Sequence, residues 1–255
     1  MTLYTSPDLV TWTNVGVVFG ADGNLPPNSV LFAPKTVYNP NTKQYVMWFN
    51  YIVGDFSHSY YGVATSPTVQ GPFVIKTAQV NTLAYSDNGD EGLFVDDDGT
   101  GYLIYTSISI GHTISVEQLT PDYLNTLGKA GSSGPVGSGN QEAPIMFKRN
   151  NIYYLGMGGC CCYCGGGSAI TIFTATSPLG PYTSRTSLGD LRSQSTAIFP
   201  YVDHTGESGW MYIGDHWQSA PDGLKSHDFT VWAPLVFSED GLSVTTAGFQ
   251  DSFII

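Results

Sequence analysis

The sequence predicts an all-β fold of the propeller type, and three observations support this. The chain has 255 residues, of which 42% are apolar and only 12% are charged. This suffices for one large domain with a sizeable core and excludes a disordered chain or a coiled coil. Thirty glycines and fifteen prolines, spread without a period, make the chain too rich in turns for a helical bundle. The third observation is a strand–turn–strand pattern that recurs along the chain.

The recurring unit is an apolar strand, a polar hairpin turn and an aromatic strand. Its four copies span residues 36–48, 93–105, 145–155 and 199–213. The aromatic residues that mark the second strands lie 57, 51 and 57 residues apart; they are Tyr45, Tyr102, Tyr153 and Trp210. This spacing accommodates a four-stranded blade with insertions, as in a β-propeller.

A second signature, Thr-Ser-Pro, occurs at residues 5–7, 65–67 and 176–178. Each copy is expected at the end of a third strand, since Thr-Ser-Pro and the Gly-Pro that follows two of the copies favour turns. No hairpin precedes the first copy, so the first blade is expected to lack its opening strands. Either the chain is truncated, or a C-terminal strand around residues 249–255 contributes more than usual to ring closure.

The charge and composition of the chain limit the kinds of molecule that it is expected to bind. The formal net charge of −12 repels phosphate backbones and anionic membranes, so neither nucleic acid nor membrane is an expected partner. No apolar run is long enough to span a bilayer, and the first residues carry no export signal. The 16 tyrosines, 13 phenylalanines and 5 tryptophans are compatible with packing against sugar rings.

The four cysteines lie within five residues, at positions 160, 161, 162 and 164. A structural zinc site usually takes two separated pairs, and this chain has no second pair. A local disulfide that staples the loop, or free thiols, are the favoured alternatives. The redox compartment stays open at this point.

Five sequence blocks occur in order along the chain: Ala33–Asn39 with Tyr45–Trp48, Gly92–Gly99, Glu142–Pro144 with Phe147–Lys148, Ser193–Thr196, and Gly214–Trp217 followed by Trp232–Leu235. Together they resemble glycoside hydrolase family 43, and most closely its exo-β-1,3-galactanase branch. The resemblance covers roughly residues 3–240 and implies a five-bladed propeller, here taken as one domain over residues 1–255. It also implies hydrolysis with inversion, for which an acid and a base lie about 6.5–9.5 Å apart.

The resemblance also implies the catalytic residues. Glu142 matches the family's proton donor, and Asp90 matches the aspartate that orients the acid and raises its pKa by like-charge proximity. Glu91 is the neighbouring alternative to Asp90. Most members take a base from an early aspartate that this chain lacks, but some galactanases present a glutamine there, which Gln194 matches. We expect Gln194 to hold the attacking water, acting through its imidic tautomer.

Trp217 is the expected sugar platform, with Asp215 and His216 beside it for hydroxyl groups. Trp48 and Trp232 are expected in the core. The chemistry requires no cofactor, although family members often place a central histidine near a water or a calcium ion, which leaves a structural calcium ion open. Asp96–Asp98 are expected to form a hairpin turn rather than a calcium loop.

The sequence differs from the galactanase pattern at one position that affects the expected function. Where the galactanases tend to read Glu-Arg-Pro-Lys, this chain has Phe32 followed by Ala-Pro-Lys, so an expected pocket carboxylate is a ring. The preferred function is a secreted, monomeric hydrolase that releases terminal β-linked galactose from β-1,3-galactan-like polysaccharides. The alternative is a decayed propeller that binds glycans without cleaving them. A protein-interaction propeller is disfavoured, because basic residues are few.

Overall fold

A computed structural model describes residues 1–20, 25–26, 28–54, 58–80, 82, 88–161 and 163–246. Its strands form five antiparallel sheets, the blades of a five-bladed propeller whose first blade is incomplete within these residues. The segment 249–255, expected to help close the ring, lies outside the described residues. No described helix is both long and apolar enough to cross a bilayer.

The strands follow chain order within each blade. Blade 1 has β1 (Thr2–Thr5) and β2 (Thr13–Val17), and blade 2 has β3 (Val30–Asn39), β4 (Gln44–Ile52), β5 (Ser59–Ser66) and β6 (Val74–Val80). Blade 3 has β7 (Asn88–Val95), β8 (Gly101–Ser107) and β9 (Thr113–Gln118). Blade 4 has β10 (Gln141–Arg149), β11 (Ile152–Gly159), β12 (Ala169–Ala175) and β13 (Thr183–Asp190). Blade 5 has β14 (Gln194–Val202), β15 (Ser208–His216), β16 (Phe229–Phe237) and β17 (Val244–Thr246).

All four hairpins expected from the sequence are present, as the first two strands of blades 2 to 5. The Thr-Ser-Pro signature ends β1 and β5 and directly follows β12. Since β5 and β12 are third strands of their blades, β1 and β2 correspond to the third and fourth strands of blade 1. The expectation that this blade lacks its opening strands is therefore confirmed for the described part of the chain.

The core lies between neighbouring blades, because strands buried on both faces need an apolar partner on each side. Trp48 is fully buried between blades 2 and 3, and its indole N–H donates to the carbonyl oxygen of Tyr123 at 2.8 Å. Trp232, also expected in the core, is partly exposed. It packs on Trp12 of blade 1, with ring centroids 6.1 Å apart, and so joins the first blade to the last.

Residues 96–99 form the expected hairpin turn, closed by a hydrogen bond from the Gly99 N–H to the Asp96 carbonyl oxygen. The structure adds an ion pair that the sequence did not indicate. The ammonium group of Lys148 in blade 4 lies 2.6 Å from a carboxylate oxygen of Asp96 and 2.9 Å from one of Asp97. The acidic turn of blade 3 therefore contacts the next blade.

The first strand of each of blades 2 to 5 has a register shift near its beginning, the mark of a β-bulge. The shifts fall between residues 32 and 35, 88 and 91, 142 and 145, and 195 and 197. Two of the bulges contain an alanine with a left-handed backbone, Ala33 (φ 42°) and Ala143 (φ 51°). A bulge bends its strand and re-aims side chains, and these four occur where β3, β7, β10 and β14 enter the ring at the same end.

Candidate active site

Three of the residues proposed for catalysis meet at this end of the ring, each from a different blade. The amide nitrogen Nε2 of Gln194 lies 3.0 Å from Oδ2 of Asp90 and 3.1 Å from Oε1 of Glu142. One NH₂ group thus donates to two carboxyl groups that are distant in sequence. The two carboxyl groups are close neighbours as a result.

The orientation of the Gln194 amide follows from its neighbours. The indole N–H of Trp217 donates to the amide oxygen at 2.8 Å, so the amide nitrogen faces the carboxyl groups. Trp217 follows β15 and packs edge-on against Tyr163, with centroids 4.9 Å apart. The Lys225 ammonium group lies 3.4 Å from the Tyr163 ring centroid, an attraction between a cation and a π-face. Trp217 therefore borders the site.

Glu142 receives a second hydrogen bond from the loop that contains the cysteines. The backbone N–H of Cys161 lies 3.1 Å from Glu142 Oε1, and the Glu142 side chain is nearly buried, at 7% exposed. Cys161 and Cys164 form a disulfide, which is the first of the two alternatives left open by the sequence. This disulfide limits the conformational freedom of the backbone that contacts Glu142.

One cation lies among the carboxyl groups. The Lys35 ammonium group of β3 donates to the carbonyl oxygen of Thr196 in β14 at 2.9 Å, which joins blades 2 and 5 across the ring. Desolvation lowers the pKa of Lys35, while the charges of Glu91, Asp215 and Asp90 oppose that shift. From the sequence, Lys35 was placed only in a family block. Its position directly after Pro34, in a chain with only 9 lysines and arginines, was the available signal.

Glu91 and Asp215 lie close to this lysine. Glu91 is 2% exposed, and burial raises its pKa well above the ordinary value, with Lys35 opposing the shift. This leaves little of Glu91 to contact a sugar, and its charge interacts with that of Lys35. Burial also raises the pKa of Asp215, again against the charge of Lys35. Asp215 pairs with Gln194 in the β14–β15 ladder.

The buried Asp90 carboxyl group has a raised pKa. Desolvation, followed by the nearby charge of Glu142, raises its pKa from 3.8 to about 6. The charge of Lys35 and a hydrogen bond from the Ala143 backbone oppose the shift. Asp90 therefore holds its proton in mildly acidic solution.

This raised pKa predicts a pH-dependent stability difference between the protein and its Asp90→Asn variant. A folded-state pKa above the unfolded one means that the native state holds the proton more tightly, so stability is lost as the pH rises from about 4 through 6. The variant lacks this loss. Its free energy of unfolding relative to the parent should therefore increase by about 3 kcal/mol between pH 4 and pH 7.5, as measured by denaturant titration.

Asp203→Asn provides the control, because hydrogen bonds from Thr205 lower the pKa of the exposed Asp203. Because the pKa of Asp203 lies below the ordinary value of 3.8, the stability difference of this variant from the parent should stay nearly constant between pH 4 and pH 7.5. A difference for Asp90→Asn that stays constant between pH 4 and 7.5 would contradict the prediction.

Phe32 and His216 complete the predicted set. Phe32 lies in the β3 bulge and is followed by Ala-Pro, as Glu142 is in the β10 bulge, so blade 2 presents a ring where blade 4 presents a carboxyl group. His216 ends β15 beside Trp217. Calcium prefers six to eight oxygen ligands, and within the described residues His216 belongs to no cluster of three metal-binding side chains.

The chain is similar to known proteins in sequence and in structure. The family model described as "Glycosyl hydrolases family 43" matches residues 1–198. A β-D-galactofuranosidase of Aspergillus niger is 28% identical, with 93% of this chain and 72% of the relative covered.

Two solved structures extend the comparison. An exo-β-1,3-galactanase of Clostridium thermocellum has a TM-score of 0.83 at 27% identity, covering 96% of this chain and 55% of its own. An exo-β-1,3-galactanase of Phanerochaete chrysosporium, bound to β-1,3-galactotriose, has a TM-score of 0.81 at 26% identity, covering 95% and 55%. This chain thus spans little more than half of either structure.

Proposed function

Since this chain belongs to glycoside hydrolase family 43, we propose that it releases terminal β-linked galactose from β-1,3-galactan-like glycans with inversion at the anomeric carbon. The observation that carries the proposal is the Gln194 amide group, which contacts both Glu142 and Asp90. The galactanase names of the similar solved structures support the choice of sugar.

In the proposed reaction, the Glu142 carboxyl group donates its proton to the glycosidic oxygen as the bond to the anomeric carbon breaks. A water molecule held by Gln194 attacks that carbon from the opposite face of the ring. Gln194 reacts as its imidic tautomer: its nitrogen accepts the proton of the water and its O–H proton passes to solvent, which restores the amide, while Glu142 takes up a proton from solvent before the next turnover. Asp90, which shares the Gln194 amide group with Glu142, is proposed to orient the acid.

The substrate must first separate two of these residues. Gln194 Nε2 and Glu142 Oε1 are 3.1 Å apart, whereas inversion needs about 6.5–9.5 Å between the acid and the group that holds the water. We therefore propose that the sugar enters between them and displaces the Gln194 amide from Glu142. The side chain swings about its own single bonds, and no backbone movement is required.

Trp217 is proposed to stack on the galactose ring and to orient Gln194 through its indole N–H. In Trp217→Ala, the lost aromatic face should raise KM for β-1,3-galactotriose about tenfold, equivalent to about 1.4 kcal/mol. In Trp217→Phe a ring remains but the N–H donor is lost, so kcat should fall while KM changes less. Steady-state kinetics of the three proteins test this. Equal KM values in all three would remove Trp217 from the sugar site.

A second candidate substrate comes from the similarity to a β-D-galactofuranosidase. A furanose ring is smaller and more flexible than a pyranose, and Phe32 alters the pocket edge where the galactanases tend to have a glutamate. The binding-only alternative rests on the same Phe32 substitution. The presence of Glu142, Asp90 and Gln194 in mutual contact favours catalysis.

The test is to incubate the protein with β-1,3-galactan, an aryl β-galactopyranoside and an aryl β-galactofuranoside. Release of α-galactose from galactan, followed by proton NMR before mutarotation, supports the proposal with inversion. Release from the furanoside alone supports the second candidate. Calorimetric binding of galactan without release of product from any substrate supports the binding-only alternative.

We also propose that the protein works outside the cell, where polysaccharide substrates are found. The Cys161–Cys164 disulfide supports this, because disulfides persist mainly in oxidising compartments. The expectation of a monomer stays a prediction.

A further inference from the structure

Three side chains beside the proposed acid form a cluster that the proposed reaction does not use as a unit. One ligand atom each from His112, Glu142 and Cys160 lie within 4.8 Å of one another. His112 precedes β9, Glu142 lies in β10 and Cys160 directly follows β11. In the described part of the chain this is the one such group of three histidine, cysteine or acidic side chains.

Backbone hydrogen bonds hold the three segments in place. The Gln141 N–H donates to the His112 carbonyl oxygen at 2.8 Å, and the Cys160 N–H donates to the Asn140 carbonyl oxygen at 2.9 Å. Glu142 follows Gln141 directly, so all three side chains start from positions that main-chain bonds set. A ligand set fixed in this way loses little conformational entropy on binding.

The His112 ring provides an independent observation. Its Nδ1 atom is buried and has no hydrogen-bond partner among the described residues. A buried polar nitrogen left without a partner costs free energy. A metal ion bound at this nitrogen would remove that cost. Both His112 and Cys160 are partly exposed, so an ion can reach the cluster from solvent.

The donor set selects the kind of ion. A thiolate, an imidazole and a carboxylate suit Zn²⁺ and similar thiophilic ions, whereas Ca²⁺ and Mg²⁺ take oxygen ligands. Three protein ligands leave a fourth tetrahedral position for water. We infer that His112, Glu142 and Cys160 form a Zn²⁺ site that inhibits the enzyme, because an ion on the Glu142 carboxylate takes the place of the proton that Glu142 must donate. The inhibition rests on the proposed function, but the binding does not.

Zn²⁺ binding is measured by calorimetry on the intact protein and on three variants. Cys160→Ser and His112→Asn each remove one ligand atom, and asparagine suits the left-handed backbone at position 112 (φ 56°). Both should bind Zn²⁺ at least about tenfold more weakly. His227→Gln is the control, since His227 contacts Asp222 at the surface, far from the cluster in sequence, and should bind as the parent does.

Co²⁺ reports the thiolate directly, because a cobalt–thiolate bond gives a near-ultraviolet charge-transfer band. The band should appear in the parent and in His227→Gln and be absent from Cys160→Ser. In the activity assay, Zn²⁺ should stop release of galactose by the parent, EDTA should restore it, and Cys160→Ser should resist.

Equal Zn²⁺ affinity in the parent, Cys160→Ser and His112→Asn, or no binding to the parent, would overturn the site. If Zn²⁺ binding requires both His112 and Cys160 but the protein hydrolyses none of the galactosides, the metal site is supported and the proposed hydrolase function is refuted. Activity that Zn²⁺ leaves unchanged while Zn²⁺ is bound overturns the inhibition.

Discussion

Glu142→Gln is expected to lower the release of galactose from β-1,3-galactan by about three orders of magnitude, near the middle of the range for loss of general acid catalysis. A glutamine at position 142 fills the same space, and its amide oxygen can still accept hydrogen bonds from Gln194 and from the backbone N–H of Cys161. It has no acidic proton to donate to the glycosidic oxygen. Initial rates of the parent and variant on galactan measure the effect.

The loss should depend on the leaving group. The fluoride ion of a galactosyl fluoride leaves without being protonated. The Glu142→Gln variant lacks only the proton transfer, so it should hydrolyse this substrate at a rate within about tenfold of the parent. Glu239→Gln, in a surface turn, is a matched control for the change of charge. Equal losses on galactan and on the fluoride would mean that Glu142 is not the proton donor.

Gln194→Ala is expected to reduce turnover at least about a hundredfold on both substrates, because it removes the group proposed to hold and deprotonate the water. The same change deletes the hydrogen bonds to Asp90, Glu142 and Trp217. The fluoride therefore separates the two roles: the acid variant retains activity on it, and the water-holding variant does not.

The neighbouring glutamine supplies the control. The Gln218 side chain donates to the carbonyl oxygen of Tyr163 at 2.8 Å and has no role in the proposed reaction, so Gln218→Ala should keep its rate within a few fold. Thermal unfolding of both variants checks that the fold survives. A Gln194→Ala protein with most of its activity would remove Gln194 from the mechanism.

The strand pattern was readable from the sequence because it is local. Hairpin turns such as 96–99 and the apolar strands that flank them are set by neighbouring residues, and the four hairpins appear where the repeats predicted them. The incomplete first blade followed from the Thr-Ser-Pro signature in the same way. The partial exposure of Trp232 was missed because its burial depends on blade 1, which lies more than 200 residues earlier in the chain.

The candidate site was predictable only in part. Family blocks indicated Glu142, Asp90 and Gln194, but the blocks said nothing about their hydrogen bonds. The β-bulges that re-aim the side chains, the burial of Glu91 and the approach of His112 to Cys160 have no local sequence pattern. Each depends on how one blade is placed against the next.

The sequence by itself determined the strands, their turns and the residue types available for chemistry, since hydrophobic periodicity and turn propensity act over a few residues. Only the tertiary structure decided which of those residues meet. Gln194 contacts Asp90 and Glu142 across 104 and 52 residues of chain, and such contacts are fixed by closure of the ring and packing between blades, where the free energy depends on all blades at once.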